Sequence, residues 1–454
     1  MERAANPLLL SDPAVVLLAA NLAAVPHLPS LAALINAYPQ ALDFALVLDI
    51  LLKVLPETTS PEDYLPIVYR LYRHETTQTN DLDRIPSTFL QKVSNLSEQA
   101  ARRKLALFQL DTQISSTTEQ DNETLLGSWF FNRARRVEEA TGMIDLARRL
   151  VCPDTNSFLP TPPFPPTSVT IWGKGVVQVL ETFIFDSDDE DELRLVAFES
   201  LDSDSAIRLL LSRTTPETVS TTLRRLILPF AEYIRSKELE RDTWSTVWDW
   251  LLDRAVEGEL QYISILANNW IEADDAVLKE FLRISLAACY LCRQTSSSIR
   301  SYLSRIHEGI LHLSQKLNLP HSTESIPLQH TETDLLATEL RISSPLTNVT
   351  MPALEYLAQM IKSADILAQY SIELSLSELI FLRGSTEDAQ QQLLNRILRA
   401  DQSWKTRNEA QWKQLRLSTK WLQSTSSVLG KISLESLDKT VLTAMLDASG
   451  ILRF

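Results

Sequence analysis

Apolar residues in the first seventy positions fall into four helix-sized segments, each bounded by proline and none containing glycine. The first begins at Ser11-Asp12-Pro13, where an N-cap oxygen precedes a proline whose missing N–H costs nothing in the first helical turn. Its apolar positions recur at three- and four-residue spacing: Val15, Leu18, Leu22 and Val25. This spacing predicts a helix with one buried face.

The next three segments repeat the pattern. Pro29 opens the second and Pro39 ends it, because the residue before a proline disfavours the helical conformation. The third runs from Phe44 to Leu55 and stops at Pro56. Ser60-Pro61-Glu62-Asp63 starts the fourth, with acidic residues facing the positive end of the helix dipole. Four short capped helices in a row predict two helical hairpins.

Helical patterns continue along the chain, at about 89–110, 125–151, 193–212, 215–236, 242–256, 259–270 and 273–293. Alternating Val/Ile/Thr runs are nearly absent and only 9 glycines occur, so the fold class is predicted to be all-α. No strict repeat period is visible. Because short hairpins with a broad apolar face can bury it by stacking on their sequence neighbours, the predicted architecture is an irregular α-solenoid of stacked helical hairpins.

Three polar or proline-rich stretches interrupt the helical pattern. Residues 153–166 carry six prolines and predict an exposed connector, with a proline-rich recognition motif as the alternative. Residues 186–192 read DSDDEDE, which predicts either a solvated loop or a docking site for a basic partner. Residues 318–334 are polar, and a division near residue 325 is expected to separate an N-terminal part, 1–325, from a continuation of the solenoid, 326–454.

Charge and cysteine content narrow the class of protein. The chain has 43 basic and 58 acidic residues, a net charge of −15 that disfavours nucleic acid as a partner. Three cysteines are too few for the disulfide framework of a secreted protein. Residues 13–25 are apolar, but they fall short of the roughly 20 residues that span a bilayer. We therefore expect a cytosolic protein whose membrane association is peripheral, through partners.

Candidate catalytic and metal-binding patterns are incomplete. Cys289-Tyr290-Leu291-Cys292 has the spacing of a zinc half-site, but no second pair or nearby histidine completes it, and its apolar surroundings predict buried side chains. His307 and His312 point to different helical faces. The Asp188–Glu192 run superficially resembles the aspartate-rich helix of all-α terpenoid synthases. Such a site needs a second carboxylate cluster, and the only other adjacent aspartate pair in this chain is Asp274-Asp275. We expect no enzymatic activity, no metal and no cofactor.

Two features are candidate partner contacts. Trp244 and Trp248 share one helical face, whereas Trp250 points elsewhere, so Trp250 is expected to be partly exposed and is a candidate interface anchor. Between positions 396 and 420 seven cations face only Asp401 and Glu409, a local charge of +5: Arg396, Arg399, Lys405, Arg407, Lys413, Arg416 and Lys420. This predicted basic helix is either a solvated face or a contact for an acidic partner helix or an anionic membrane surface.

Several blocks together resemble one family. PAVVLLAANLAA from Pro13, LVLDILLKVLPETTSPEDYLPIV from Leu46, WFFNRARRVEEATGMIDLARRLV from Trp129 and AFESLDSDSAIRLLLSRT from Ala197 are similar, in order, to blocks of the Sec-thirty-nine domain family. That family supplies a subunit of the fungal Dsl tethering complex and is related to the neuroblastoma-amplified sequence protein of animals. The last block, SLESLDKTVLTAMLDASGILRF, resembles one after which family members continue, so the resemblance implies a sequence truncated at its C-terminus.

The resemblance implies a function as well as a fold. Family members are non-catalytic α-solenoids at the endoplasmic reticulum, where they bind the central tether subunit and a SNARE and help to capture vesicles returning from the Golgi. We therefore expect a scaffold of retrograde transport on the cytoplasmic face of that membrane, with no small-molecule substrate. The alternative is an α-solenoid scaffold of another assembly, of the coat or nuclear-pore type.

Overall fold

The computed structural model describes residues 10–73, 84–110, 122–152, 164–186, 193–237, 242–270, 274–317, 340, 344–400 and 402–448. Helices and turns account for these ranges, and none of them contains a strand. The predicted all-α class is therefore confirmed. The chain forms two compact units: unit 1 contains Met1–Ala206 and Pro229–Arg241, and unit 2 contains Ile207–Leu228 and Asp242–Phe454.

Most helices of unit 1 lie within the predicted segments. Two differences are that 167–185 is helical although no helix was predicted there, and that the helix predicted at 193–212 is two helices. The helices are α1 Asp12–Ala24, α2 Leu28–Ala37, α3 Phe44–Lys53, α4 Pro61–Tyr72, α5 Ser87–Ser94, α6 Glu98–Leu107, α7 Asn122–Thr141, α8 Ile144–Val151, α9 Thr167–Trp172, a π-helical segment Gly173–Val177, α10 Gln178–Phe185 and α11 Leu195–Glu199. The continuation comprises α12 Ser203–Leu211, α13 Val219–Thr222, a second π-helical segment Leu223–Ile227, and α14 Leu228–Lys237, which returns to unit 1.

Unit 2 continues with longer helices. They are α15 Trp244–Val256, α16 Gln261–Asn268, α17 Asp275–Leu291, α18 Ser297–Lys316, α19 Met351–Ala368, α20 Leu376–Gly384, α21 Glu387–Arg399, a 3₁₀ turn Gln402–Thr406, α22 Glu409–Ser424 and α23 Leu434–Ala448. Within each unit most helices pack on helices near them in sequence, such as α7 on α8, α17 on α18 and α22 on α23. This packing confirms the solenoid-like arrangement of stacked hairpins, unit by unit.

The first helix is buried more completely than its spacing predicts. Residues between the expected face positions, such as Leu17 and Ala19, are as buried as Leu18 and Leu22, because α2, α3, α5 and α6 all pack on α1. Val25 lies beyond the helix and is 61% exposed, so placing it on the buried face was wrong. A helix that is apolar all round requires cover on several sides, and the neighbouring helices supply it.

Helix boundaries depend on local caps that the apolar pattern missed. The predicted helix at 89–110 is two helices, since the Ser97 side chain accepts a hydrogen bond from the Ala100 amide and starts α6. The predicted helix at 125–151 is also two, because Gly142 adopts φ +71° between α7 and α8. Each break divides one long predicted helix into two, and α7 and α8 then pack on each other.

Helix α7 holds unit 1 together through a buried arginine. Arg133 is fully buried and donates hydrogen bonds to the carbonyl oxygens of Leu55 and Pro56, at 2.9 and 2.7 Å. These carbonyls belong to the turn that follows α3, so Arg133 fastens this turn to α7. The guanidinium also lies 5.6 Å from the ring centre of Tyr64 in α4, and burial raises the pKa of that phenol. Two of the recognised sequence blocks, WFFNRARR and LPETTSPEDY, therefore meet at this side chain.

The neighbouring arginine ties α7 to α11. Arg135 forms two hydrogen bonds to the Glu199 carboxylate, at 2.8 and 3.0 Å, and the Trp172 indole N–H donates to the same carboxylate at 2.8 Å. The Glu199 hydrogen bond raises the pKa of the Arg135 guanidinium, so this guanidinium stays charged. This network positions three sequence-distant helices, α7, α9 and α11.

In unit 2 the cysteine pair lies in the core, as its apolar surroundings predict. Cys289 and Cys292 are fully or almost fully buried, at the end of α17. Desolvation raises the pKa of both thiols, which keeps them protonated and poorly suited to bind metal. His307 lies 3.2 Å from the Leu354 carbonyl oxygen, and burial lowers its pKa. In the described part of the chain, no group of three or more His, Cys, Asp and Glu side chains is arranged to hold a metal ion.

Several sequence predictions fall outside the described residues. They include the candidate division near residue 325, which stays a prediction, as well as residues 153–163 of the proline-rich segment and residues 187–192 of the acidic run. The described end of the proline-rich segment is anchored, since the Phe164 ring packs on Tyr69 and Phe130 at centroid distances of 5.2 and 5.6 Å. Among the described helices, none is both long and apolar enough to cross a bilayer.

Candidate partner-binding surface

The basic segment at 396–420 is built from three elements of unit 2. The expectation of one basic helix was wrong: α21 ends at Arg399, a 3₁₀ turn follows, and α22 starts at Glu409. Asn408 causes the break, because its side chain accepts a hydrogen bond from the Gln411 amide while the Gln411 side chain accepts one from the Asn408 amide. This reciprocal capping box begins a new helix in the middle of the basic sequence.

Three of the seven cations are used inside the fold. Arg416 donates two hydrogen bonds to the Asp438 carboxylate, at 2.9 and 3.1 Å, and Lys420 lies 3.1 Å from it. These contacts join α22 to α23, and the Arg416 hydrogen bond lowers the pKa of Asp438. Arg407 donates to the Leu398 carbonyl at 2.9 Å, and its guanidinium lies 5.4 Å from the centre of the Trp412 ring. The positive field of these side chains is therefore partly cancelled or directed inward.

The other four cations face solvent. Arg396, Arg399, Lys405 and Lys413 are exposed, and none has a hydrogen bond or an ion pair among the described residues. Lys405 lies over the half-buried Trp404 ring at 5.6 Å from its centre. We define these four side chains as the free basic surface. They can bind acidic groups of a partner without first breaking a described hydrogen bond or ion pair.

Two members of the free basic surface line a depression. Arg396 and Arg399 face a space of about 440 Å³ where the end of α21 approaches the turn after α19. The other lining residues are Tyr370, Ser371, Ile372, Asn395 and Ala400. Ser371 adopts φ +57°, the left-handed conformation of a tight turn, which directs the chain back from α19 toward α20. The depression thus combines two cations with two hydroxyls and one amide.

The structure also places the candidate tryptophan. Trp244 and Trp248 are buried and stack at a centroid distance of 5.3 Å, as their shared face predicts. Trp250 is half-buried and packs edge-on against Tyr262, with ring centres 5.2 Å apart. The expected partial exposure is therefore present, whereas the role of Trp250 as a partner contact stays a prediction.

Sequence reasoning did not identify two parts of this surface. Asp438 lies outside the basic segment 396–420. Its position relative to Arg416 does not follow from helical spacing, because a loop separates α22 from α23. Tyr370 and Ser371 join Arg396 only through the packing of the turn after α19 on the end of α21. A capping motif at Asn408 was the one local signal that could have shown that the basic segment is divided.

Comparison with protein families gives a match that covers most of the chain. A model of the family Sec39, described as secretory pathway protein Sec39, matches residues 16–451. The matched range covers nearly the whole chain, including the free basic surface and Trp250. The search of curated proteins gave no match.

Proposed function

The chain belongs to the Sec39 family of secretory pathway proteins, and on that premise we propose that it is a non-enzymatic scaffold subunit of a vesicle-tethering complex. The complex acts at the cytoplasmic face of the endoplasmic reticulum, in retrograde transport from the Golgi. The scaffold binds the central tether subunit and a SNARE of that membrane, and its own membrane association is peripheral, through these partners. The observation that carries the proposal is the family match over residues 16–451.

The fold supports a scaffold because its polar networks are used to join helices. Arg133 holds the end of α3, Arg135 and Glu199 hold α7 to α11, and Arg416 and Asp438 hold α22 to α23. Ties of this kind fix the spacing between helices and therefore the shape of the surfaces that partners contact. Rigid, preformed surfaces limit the entropy lost when proteins associate.

The free basic surface and Trp250 are the proposed contacts in unit 2. Four cations without internal partners favour an acidic protein segment, and their charge accelerates and orients its approach. A half-buried tryptophan supplies apolar area, which is the usual source of affinity at a protein interface. The cations act by electrostatic attraction and Trp250 by burial of apolar surface, so the salt dependence of binding distinguishes them. Binding through the cations weakens at high ionic strength, whereas the contribution of Trp250 does not.

Co-elution tests the proposal directly. The purified chain is mixed with the central tether subunit, or with the N-terminal region of the endoplasmic-reticulum SNARE, and analysed by size exclusion at low and physiological salt. A stable complex with either partner is expected. If neither partner co-elutes with the chain at either salt concentration, the tethering proposal is refuted. Complex formation with coat or nuclear-pore components instead would support the alternative scaffold.

A pair of charge-matched variants tests the contact surface. The first replaces the free basic surface with glutamine at Arg396, Arg399, Lys405 and Lys413. The control makes the same replacement at four other exposed cations of unit 2: Lys279, Arg293, Arg305 and Lys316. Loss of a complex with the first variant only would locate the contact, whereas equal losses would show that only total charge matters.

A further inference from the structure

The described residues that line the depression beside α21 supply several hydrogen-bond donors, and none of them is acidic. Arg396 and Arg399 are three residues apart on one helix, so both guanidinium groups lie on the same side of α21. The hydroxyls of Tyr370 and Ser371 and the amide of Asn395 complete the polar lining. Every one of these five groups can donate a hydrogen bond. A ligand that fits them must be rich in acceptors and negatively charged.

Both arginines are available to such a ligand. Basic residues in the last turn of a helix commonly bond its terminal carbonyls, but here Arg407 already donates to the Leu398 carbonyl at 2.9 Å. The acidic residue next to the lining turn, Glu373, lies 3.7 Å from Arg300. Neither Arg396 nor Arg399 has a described hydrogen-bond or ion-pair partner. Among the described residues, the two positive charges of the depression therefore have no acidic partner.

We propose that this depression binds a phosphate monoester, carried on a phosphorylated serine or threonine in a protein partner. A phosphate monoester bears close to two negative charges at neutral pH and presents three strong acceptor oxygens. Planar guanidinium groups bind such oxygens in a bidentate manner, and hydroxyl and amide donors satisfy the remaining lone pairs. The inference rests on the proposed function, since it names the partner chemistry for part of the free basic surface.

A protein partner fits this site better than a lipid surface. Each basic residue near an anionic membrane strengthens binding only about fivefold, so two arginines alone would hold the chain weakly. Stable binding to a bilayer also needs apolar side chains that insert, and no exposed large hydrophobic residue lines the depression. A depression lined by several donors instead suits one phosphate on a protein segment.

Phosphorus NMR titration of the full chain tests the proposal with a defined probe, the peptide Gly-Gly-phosphoserine-Gly-Gly. We expect saturable binding with a dissociation constant on the order of 0.1–1 mM, as a few charge-assisted hydrogen bonds would give. Inorganic phosphate should compete, and the unphosphorylated peptide should not. Absence of binding at 1 mM peptide would overturn the proposal.

The pH dependence distinguishes a dianion site from a general attraction for anions. The second pKa of a phosphate monoester is about 6, so affinity should rise between pH 5 and 7.5 as the probe gains its second charge. A sulfoserine peptide carries one charge throughout and should bind weakly and without pH dependence. Equal affinity for the two peptides at pH 7.5 would contradict the assignment.

Two double variants with the same loss of charge locate the site. Arg396→Gln with Arg399→Gln should weaken phosphopeptide binding at least about tenfold, because both ionic contacts are lost. Lys405→Gln with Lys413→Gln removes the same charge from the free basic surface outside the depression, and should change affinity less than about threefold at 0.15 M salt. Equal effects would refute a specific site.

Two further outcomes separate the phosphate proposal from its rivals. One outcome is that phosphoinositide vesicles bind the parent chain but not the Arg396/Arg399 variant, while the phosphopeptide binds neither. The ligand is then a lipid, and the proposal fails. If the chain co-elutes with the tether subunit or the SNARE but does not bind phosphopeptide, only this inference fails. If no partner co-elutes yet the phosphopeptide binds as expected, the site stands and the tethering function fails.

Discussion

Replacing Arg133 with methionine should destabilise unit 1 more than any other loss of an arginine from α7. Methionine keeps an unbranched apolar side chain in the same space but cannot donate hydrogen bonds. The change leaves the Leu55 carbonyl, bonded at 2.9 Å in the native fold, without the Arg133 donor, and leaves the Pro56 carbonyl, bonded at 2.7 Å, with the Thr59 amide at 3.2 Å. It also removes the cation beside the Tyr64 ring. The end of α3 would then have to reorganise to reach water.

The size of the effect follows from these contacts. A hydrogen bond from a charged donor contributes about 1.5–3 kcal/mol, so the two bonds amount to roughly 3–6 kcal/mol. Removing a buried cation recovers part of its desolvation cost, which leaves an expected loss of about 2–4 kcal/mol. With a urea slope of about 3 kcal/mol per molar, the unfolding midpoint of unit 1 should fall by about 1 M.

A matched control lies three residues along the same helix. Arg136 pairs with Glu57 at 2.7 Å, but its side chain is 44% exposed, so Arg136→Met should cost under about 1 kcal/mol. Urea unfolding followed by tryptophan fluorescence compares the two variants, and amide hydrogen exchange at residues 55–64 reports the end of α3 locally. If Arg133→Met is no less stable than Arg136→Met, or exchange at 55–64 is unchanged, the assigned role of Arg133 is wrong.

Three further predictions concern packing, charge and the candidate anchor. Gly175→Ala should destabilise unit 1 by several kcal/mol, because the new Cβ would overlap a tyrosine of α14. Gly127→Ala should stabilise unit 1 by up to about 1 kcal/mol, since the new Cβ meets nothing closer than 3.9 Å. Thermal unfolding of both variants checks this pair. Asp438→Asn should lower stability at neutral pH. The pKa of this carboxyl is lowered in the folded state, so its stabilising contribution is present above the unfolded pKa and is lost as pH falls through the folded pKa. Acid unfolding curves of the variant and the parent should therefore converge at low pH. Trp248→Ala should cost about 3–5 kcal/mol, as a core residue, whereas Trp250→Ala should cost less and weaken the co-eluting complex at high salt; unchanged binding would remove Trp250 from the interface.

The helical segments were predictable because their signals are local. Proline and serine at the start of α1 and α4 and the apolar spacing of α2 and α3 act within one or two turns of the chain. The boundaries that were missed depend on single residues, such as the left-handed Gly142 and the capping Ser97. A periodic pattern continues through such positions, so it joins two helices that a cap separates.

The candidate surface was predictable only as composition. The sequence showed a cluster of seven cations at 396–420. In the structure four of them face solvent, and three form hydrogen bonds or ion pairs within the fold. Asp438 neutralises Arg416 from across a loop, 22 residues away. Such a contact requires two side chains within about 4 Å, and the packing of α22 on α23 alone sets that distance.

By itself the sequence determined that this chain is all-α, where most helices lie, and which family it resembles, because helix propensity, capping and apolar periodicity act between residues close in the chain. Only the tertiary structure decided what the charged residues do. It directed Arg133 to the end of α3, paired Arg416 with Asp438, and placed Arg396 and Arg399 beside Tyr370 with no described partner. The physical reason is that hydrogen bonds and ion pairs between helices act over a few ångströms, while the sequence carries no measure of distance between segments that loops separate.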